Sequence, residues 1–282
     1  MKKLFLLLLL FVTIEIIPQV YSDEDKKICN EKFTLAIDKN LKNKPINEVI
    51  STIGKSFLGL EYKAFALEQP GEEKLVINLS GLDCTTYLEN VLTLSRCVKK
   101  DKTSFDDYMN ELTYIRYRDG KLDKYPSRLH YFSDWIFNNT SKGLVKNVTK
   151  EIGGEEIKFN VGFMSNNPDK YLHLEENPEF VKVIKKQEDE INSRIYYYIP
   201  KDKVEGIENK IQDGDLIAIT TNAKGLDIGH VGYAVKMDDG RIHFMHSPQV
   251  ESKIQISPDP LPVYLSKIKK HTGIIVLRAI EP

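Results

Sequence analysis

The sequence predicts an α+β protein in which helices pack on an antiparallel sheet. Three observations lead there. Residues 24–58 carry apolar side chains at helical spacing, residues 82–100 form the clearest helix, and the stretch from 215 onward breaks into short strands. Helices first and consecutive strands last is the pattern of segregated layers, not of alternating βαβ units.

Taken from the N-terminus, the chain opens with Lys2 and Lys3 and an apolar run from Leu4 to Val12. Val20-Tyr21-Ser22 follows as a small-residue cleavage site. This is the layout of a secretory signal, and Glu15 and Pro18 interrupt the run well short of the ~20 apolar residues a spanning helix needs. Residues 1–22 are therefore expected to be a signal peptide, leaving 23–282 as an exported single domain without stable membrane insertion. Lys26-Lys27-Ile28 before Cys29 is no lipobox. Within residues 24–58, Phe33, Ile37 and Leu41 and then Val49, Ile50 and Ile53 recur at helical intervals, broken at Pro45. This stretch reads as a helical N-terminal extension. Residues 100–210 mix helix, the Gly153-Gly154 turn and charged runs such as "KVIKKQEDEINSR", and read as an insertion. "DLIAIT", "HVGYAVKM", "RIHFMHS" and "GIIVLRAI" read as strands, with Asp238-Asp239-Gly240 as a turn between the second and third.

Composition narrows the function. Forty basic residues against 41 acidic ones give no electrostatic case for binding nucleic acid. Three cysteines are too few for a disulfide scaffold, and the odd number leaves at least one thiol free in an oxidising compartment. Cys29 is either incidental or paired with Cys97.

Cys84 differs from the other two by position. Gly81 supplies a turn and Asp83 a favoured N-cap, so Cys84 falls in the first turn of a helix. Tyr87, Leu88, Val91, Leu92 and Val98 continue its face at i+3, i+4, i+7 intervals. Unpaired N–H groups and the helix dipole there favour a thiolate, and the same N–H groups can receive an oxyanion. Cysteine is more often a small core hydrophobe, the reading kept for Cys97. A cysteine nucleophile also needs a base and a group to orient it. His230 begins a strand with the small residues Gly232 and Ala234 on its face. On the returning strand, His243 and His246 point to opposite sides, and His246, sharing a face with Ile242 and Phe244, is the better partner. A zinc site of His230, His243 and His246 is the alternative, opposed by that divergence.

These residues together are similar to a known group. "GLDCTTYLENVL", "GHVGYAV" and "HFMHSP" resemble the papain-like NlpC-type cell-wall cysteine hydrolases. "YPSRLHYFSDWI", "GDLIAIT" and "LDIGHVGYAV" resemble the N-acetylmuramoyl-L-alanine amidase-like branch among them. The resemblance runs from about residue 45 to the C-terminus. It implies a papain-like core and a catalytic role for Cys84 as nucleophile, His230 as base and acid, and His246 as the orienting group. It further implies that Tyr62, matching the aromatic residue upstream of the cysteine, donates to the oxyanion, with a core tyrosine as the equal alternative, and that Asp83 belongs to the oxyanion or substrate-binding set. Arg128, His130 and Trp135 become pocket-wall residues, Arg128 forking a stem-peptide carboxylate and Trp135 stacking on a sugar, unless Trp135 is structural. The implied reaction is cleavage of the amide between the lactyl group of N-acetylmuramic acid and L-alanine in muropeptides, in the periplasm, without cofactor or metal. Rival readings are a peptidase cutting the stem peptide between D-Glu and the diamino acid, and a non-catalytic muropeptide-binding protein. The sequence sets no oligomeric state.

Overall fold

The structure, a computed structural model, describes residues 18–282. Residues 1–17, most of the expected signal peptide, lie outside it. Gln19–Val20 (β1) pairs in parallel with Leu75–Val76 (β2). Ser22 then caps helix α1 (Asp23–Asp38) through reciprocal bonds with Asp25. Cleavage directly after Ser22 would remove both features.

Helix α2 (Ile46–Lys55) starts right after Pro45, a residue suited to helix entry because it lacks an N–H to satisfy. Helices α3 (Cys84–Lys99), α4 (Phe105–Arg116) and α5 (Phe132–Ser141) follow. The middle of the chain supplies β3 (Val145–Asn147), β4 (Glu155–Ile157), α6 (Phe163–Asn166), α7 (Leu172–Glu176), α8 (Pro178–Ser193), β5 (Tyr196–Pro200) and α9 (Val204–Ile207). The last part holds β6 (Leu216–Thr221), β7 (Ile228–Lys236), β8 (Ile242–His246), β9 (Gln255–Pro260), α10 (Leu261–Ser266) and β10 (His271–Ala279).

Eight of these strands form one antiparallel sheet in the order β4-β5-β10-β6-β7-β8-β9, with β3 also on β10. Helices on an antiparallel sheet are the expected α+β arrangement. Alternation along β7 divides the core. Val231, Tyr233 and Val235 face the helical layer, while Ala234 joins Ile217, Ile219, Phe244 and Val276 on the other face under Leu261 and Leu265 of α10.

Several elements differ from expectation, each for a physical reason. Residues 100–210 hold three strands, β3 to β5, that extend the main sheet through β10. Strand β9 contains Pro258 and Pro260, which a sheet accepts at its edge because proline cannot donate to a ladder. Ile37 is 68 % exposed, since α1 buries Cys29, Phe33 and Ala36 instead. Cys29 and Cys97 are both buried free thiols rather than a disulfide.

Helix α3 departs furthest from an amphipathic pattern: every residue from Thr86 to Val98 is buried. Apart from the Tyr87 hydroxyl, which is buried without a partner, its polar side chains are matched. Thr93 and Ser95 donate to the carbonyls of Glu89 and Val91, Asn90 donates to Thr86 and receives Tyr108, and Arg96 pairs with Glu111 at 2.6 Å. Glu89 takes Arg116 at 2.7 Å and the indole N–H of Trp135 at 3.2 Å. Trp135 is thus fully buried and stacked on Phe132, so it cannot meet a sugar.

A buried pair broken on one side leaves a charge with neither water nor partner, at a cost of about 3–5 kcal/mol. Arg116→Ala is expected to lose stability on that scale in urea unfolding, whereas Lys27→Ala, removing an exposed pair with Glu24, changes it by less than about 1 kcal/mol.

Candidate active site

Asp83 builds the start of α3. Its carboxylate accepts the Thr86 N–H at 2.7 Å while the Thr86 hydroxyl receives the Asp83 N–H at 3.0 Å, a reciprocal cap that fixes where the helix begins. Cys84 is the first residue inside it, half-buried and free. Its sulfur lies 4.0 Å from the Thr85 hydroxyl, and the backbone N–H groups of Val231 and Thr85 favour its thiolate, which sets the thiol against β7 one residue beyond His230.

The surrounding loops are tied to this point. The Leu82 N–H donates to the Glu61 carbonyl at 3.1 Å, and the Tyr62 N–H to that of Ser252 at 2.8 Å. Ser247, at the end of β8, donates its hydroxyl to the Leu82 carbonyl at 2.6 Å. Tyr233 of β7 donates to the carbonyl of Leu88 in α3 at 2.6 Å. These bonds lock the turn before Cys84 to the sheet and to the loop that carries Tyr62.

Across β7 and β8, His230 Nε2 lies 2.7 Å from His246 Nδ1, with the rings edge to face. Gly232 stands opposite His246 in the ladder. His243 turns the other way, held by Asp239 at 3.0 Å and by the Ser257 carbonyl at 2.8 Å. The three histidines therefore do not converge on one point.

A cleft of about 280 Å³ next to the Asp83 cap is bounded by Tyr62, Phe65, Glu68, Asp83, Thr85, Arg128 and His130; it reaches the residues on either side of Cys84 but is not lined by Cys84, His230 or His246 themselves. Tyr62 is half-buried in this wall rather than in the core. Burial, with the Asp83 carboxylate nearby, pushes its hydroxyl up to about 12, so it remains an O–H donor at neutral pH. His130 lines the same cleft with one ring nitrogen 2.9 Å from the Tyr125 carbonyl. Arg128 reaches the cleft with its charge already paired. It meets Glu68 at 2.8 Å, Glu73 at 3.3 Å and the Leu67 carbonyl at 3.3 Å. The fork expected to take a substrate carboxylate instead anchors the 67–68 wall. A larger groove of 740 Å³ between α6, α7 and α8 is lined by neither cysteine nor histidine.

Burial governs the protonation of the site. It pushes the Cys84 thiol up to about 12, with the Asp83 carboxylate adding to the rise against the two backbone N–H groups. The thiolate expected at a helix N-terminus is thus outweighed by desolvation. Burial likewise holds His230 down to about 3 and His246 to about 2. Thiol and imidazoles rest neutral, and a neutral imidazole within a chain of hydrogen bonds can accept a proton as sulfur attacks.

Two residues here were not anticipated from the sequence. Tyr264 of α10 packs on Phe244 and His246, and burial, with the Glu251 carboxylate adding to it, pushes its hydroxyl up to about 12. His271, at the head of β10, is buried beside Tyr264 and electrostatically felt by both His230 and His246. The only hint of His271 in the sequence is a histidine opening a strand, as His230 does.

A family model described as AmiA-like, N-acetylmuramoyl-L-alanine amidase-like, matches residues 52–274. Among solved structures, an N-acetylmuramoyl-L-alanine amidase from Bacteroides uniformis is 37% identical over 83% of this chain and 99% of its own, with a TM-score of 0.79. A Bacteroides fragilis protein provisionally named a xylanase is 39% identical over 80% of this chain and 98% of its own, with a TM-score of 0.76. A Legionella pneumophila protein, 20% identical over 92% and 95% of the two chains, shares the fold at a TM-score of 0.69. No curated protein matches the chain.

Two tests follow from this geometry. A Cβ at Gly232 would lie 2.5 Å from the Met245 carbonyl oxygen and 3.0 Å from His246 Cβ. Gly232→Ala is expected to force β8 away and cost about 1–3 kcal/mol, with loss of the His230–His246 contact visible in a crystal structure of the variant. The second test concerns pH. His230, His246 and His271 each bind a proton more weakly folded than unfolded, so the unfolded chain takes up more protons below about pH 6.5. Their contribution to stability, joined by that of His130, is complete above that pH and falls away toward pH 4; it is opposed by His243, whose pKa is raised by Asp239 and the Ser257 carbonyl despite its burial, and at the acid end by Glu73, Asp215 and Asp227, whose carboxyls burial pushes up. The urea midpoint should drop between pH 7.5 and 5.5; a flat profile would mean that the folded chain takes up protons as readily as the unfolded one.

Proposed function

Because the chain belongs to the AmiA-like, N-acetylmuramoyl-L-alanine amidase-like family, amidase-type hydrolases acting on peptidoglycan, we propose that Cys84 is the nucleophile of a papain-like, NlpC-type amidase. Its substrate is a muropeptide, and the bond cut joins the lactyl carbonyl of N-acetylmuramic acid to L-alanine. The observation that carries the reading is the meeting of three elements. The first turn of α3 presents Cys84, the head of β7 brings His230, and the 2.7 Å contact with His246 orients it.

Catalysis proceeds from the neutral pair. The Cys84 sulfur adds to the lactyl carbonyl while His230 takes the thiol proton, and His246 accepts from His230 Nε2 and stabilises the imidazolium. The N–H donors at the start of α3 and the Tyr62 hydroxyl receive the developing oxyanion. His230 then protonates the alanine nitrogen, the C–N bond breaks, and a thioester with the lactyl group remains. Water, giving a proton to His230, hydrolyses it and restores the thiol.

Glycoside hydrolysis, the activity implied by one neighbour's name, fits these residues poorly. It requires two carboxyl groups free to face the sugar. Here Asp83 caps α3, Glu89 is held by Arg116 and Trp135, and Glu68 is paired with Arg128. The N-terminal Lys2-Lys3 and Leu4–Val12 pattern supports export and work in the periplasm.

Cys84→Ala should retain the fold and lower muropeptide turnover at least about 10³-fold. Product analysis decides the bond: a peptide with a free L-alanine N-terminus is expected. A sugar still carrying L-Ala-D-Glu would instead establish a stem-peptide endopeptidase, and full activity in Cys84→Ala would refute cysteine chemistry.

A further inference from the structure

His246 uses Nδ1 for His230, which leaves Nε2 buried without a partner in a side chain only 1 % exposed. His271 is 7 % exposed, and its Nδ1 is likewise buried without a partner. Buried polar nitrogens without partners are uncommon and costly. The two rings that carry them pack on the same tyrosine: the Tyr264 ring centroid is 5.1 Å from that of His246 and 6.0 Å from that of His271. The β-bulge between His271 and Gly273 marks where β10 departs from regular pairing with β6, two strands from β8.

We propose that His271 is a positioning residue that accepts the Nε2–H of His246 through one bridging water and thereby fixes the direction of the His230–His246 hydrogen bond. This inference rests on the cysteine-amidase reading for its catalytic consequence, and on geometry alone for the hydrogen-bond chain. Two polar partners meet the minimum a buried water requires. Every nitrogen then has one assignment. His271 carries its proton on Nε2 and presents bare Nδ1. His246 carries its proton on Nε2 and presents bare Nδ1 to the N–H of His230, whose own Nδ1 is left bare as the base. The reverse tautomer of His246 would donate to His230 Nε2 and put the proton of His230 on Nδ1, the wrong nitrogen for accepting one from Cys84. Because burial keeps all three rings neutral, the choice between tautomers matters. The other groups near His271 are Tyr264 of α10, His230 of β7 and Lys201, whose charge also opposes protonation of His271.

Two-bond ¹H–¹⁵N spectra of the ¹⁵N-histidine-labelled full chain at pH 7.5 test this, with His246 assigned by its absence in H246N. The wild type should show His246 protonated on Nε2. In His271→Phe, which keeps a ring of similar shape, the tautomers of His246 should mix and kcat on muropeptides fall about tenfold, the effect of a one-unit change in effective basicity, with KM unchanged. His271→Gln, which restores a polar partner, should recover most of both. An Nδ1–H tautomer of His246 in the wild type would overturn the proposal whether or not the variants fold. So would unchanged spectra and kcat in both variants. If the protein cleaves no muropeptide, the spectra still decide the hydrogen-bond chain, so failure of the proposed function and failure of this inference are separable.

Discussion

Cys84 is placed by the burial of α3, and that burial depends on the contact of Glu89 with Arg116 and Trp135. A helix surrounded by protein on every side cannot be held by apolar packing alone when its sequence contains Glu89, Asn90, Thr93, Ser95 and Arg96. Each of these groups would cost free energy if desolvated without a partner. Arg116 from α4 and Trp135 from α5 both meet one carboxylate, so three helices are fixed around a single buried charge. The N-terminus of α3 is thereby held at the sheet margin, where the Asp83 cap and the Val231 N–H locate the sulfur. The same demand removes Trp135 from the cleft.

Burial that supports the fold also sets the chemistry. Desolvation by the surrounding protein raises the Cys84 thiol and depresses the histidines, which works against a standing thiolate–imidazolium pair. The protein offers orientation in its place. The Ser247–Leu82 and Tyr62–Ser252 bonds fix the turn, and Gly232 lets β8 approach closely enough for His246 to touch His230. Proton transfer coupled to attack needs groups aligned beforehand more than it needs a charged nucleophile at rest.

Residues with a local signature were legible in the sequence. Gly81, Asp83 and the apolar spacing after Cys84 mark a capped helix, and "HVGYAVKM", the Asp238-Asp239-Gly240 turn and "RIHFMHS" mark a hairpin, because caps, periodicity and turns are written over a few consecutive residues. The period-two rule separated His246 from His243 for the same reason. What depends on a distant partner was not legible. Arg128 reads as a free guanidinium until Glu68 and Glu73, more than fifty positions earlier, are seen to hold it. The all-round burial of α3 contradicts its own polar residues unless their partners in α4 and α5 are known. Strands β3 to β5 are short, and only their pairing through β10 reveals them as part of the sheet.

His271 belongs to this second class and shows how the sheet joins the two ends of the site. It opens β10, the strand that links β3 and β5 from the middle of the chain to β6. The side chain packs on Tyr264 of α10, which also covers Phe244 and His246. Residues 145–200 therefore bear on the site although none of their strands touches Cys84: they flank the strand that carries His271. A disturbance of β5 or β3 should reach the tautomer of His246 before it reaches the nucleophile, because α3 is held independently by Arg116 and Trp135. The two supports of the site, a buried ion pair under the cysteine and a strand position behind the histidines, are in this sense separable.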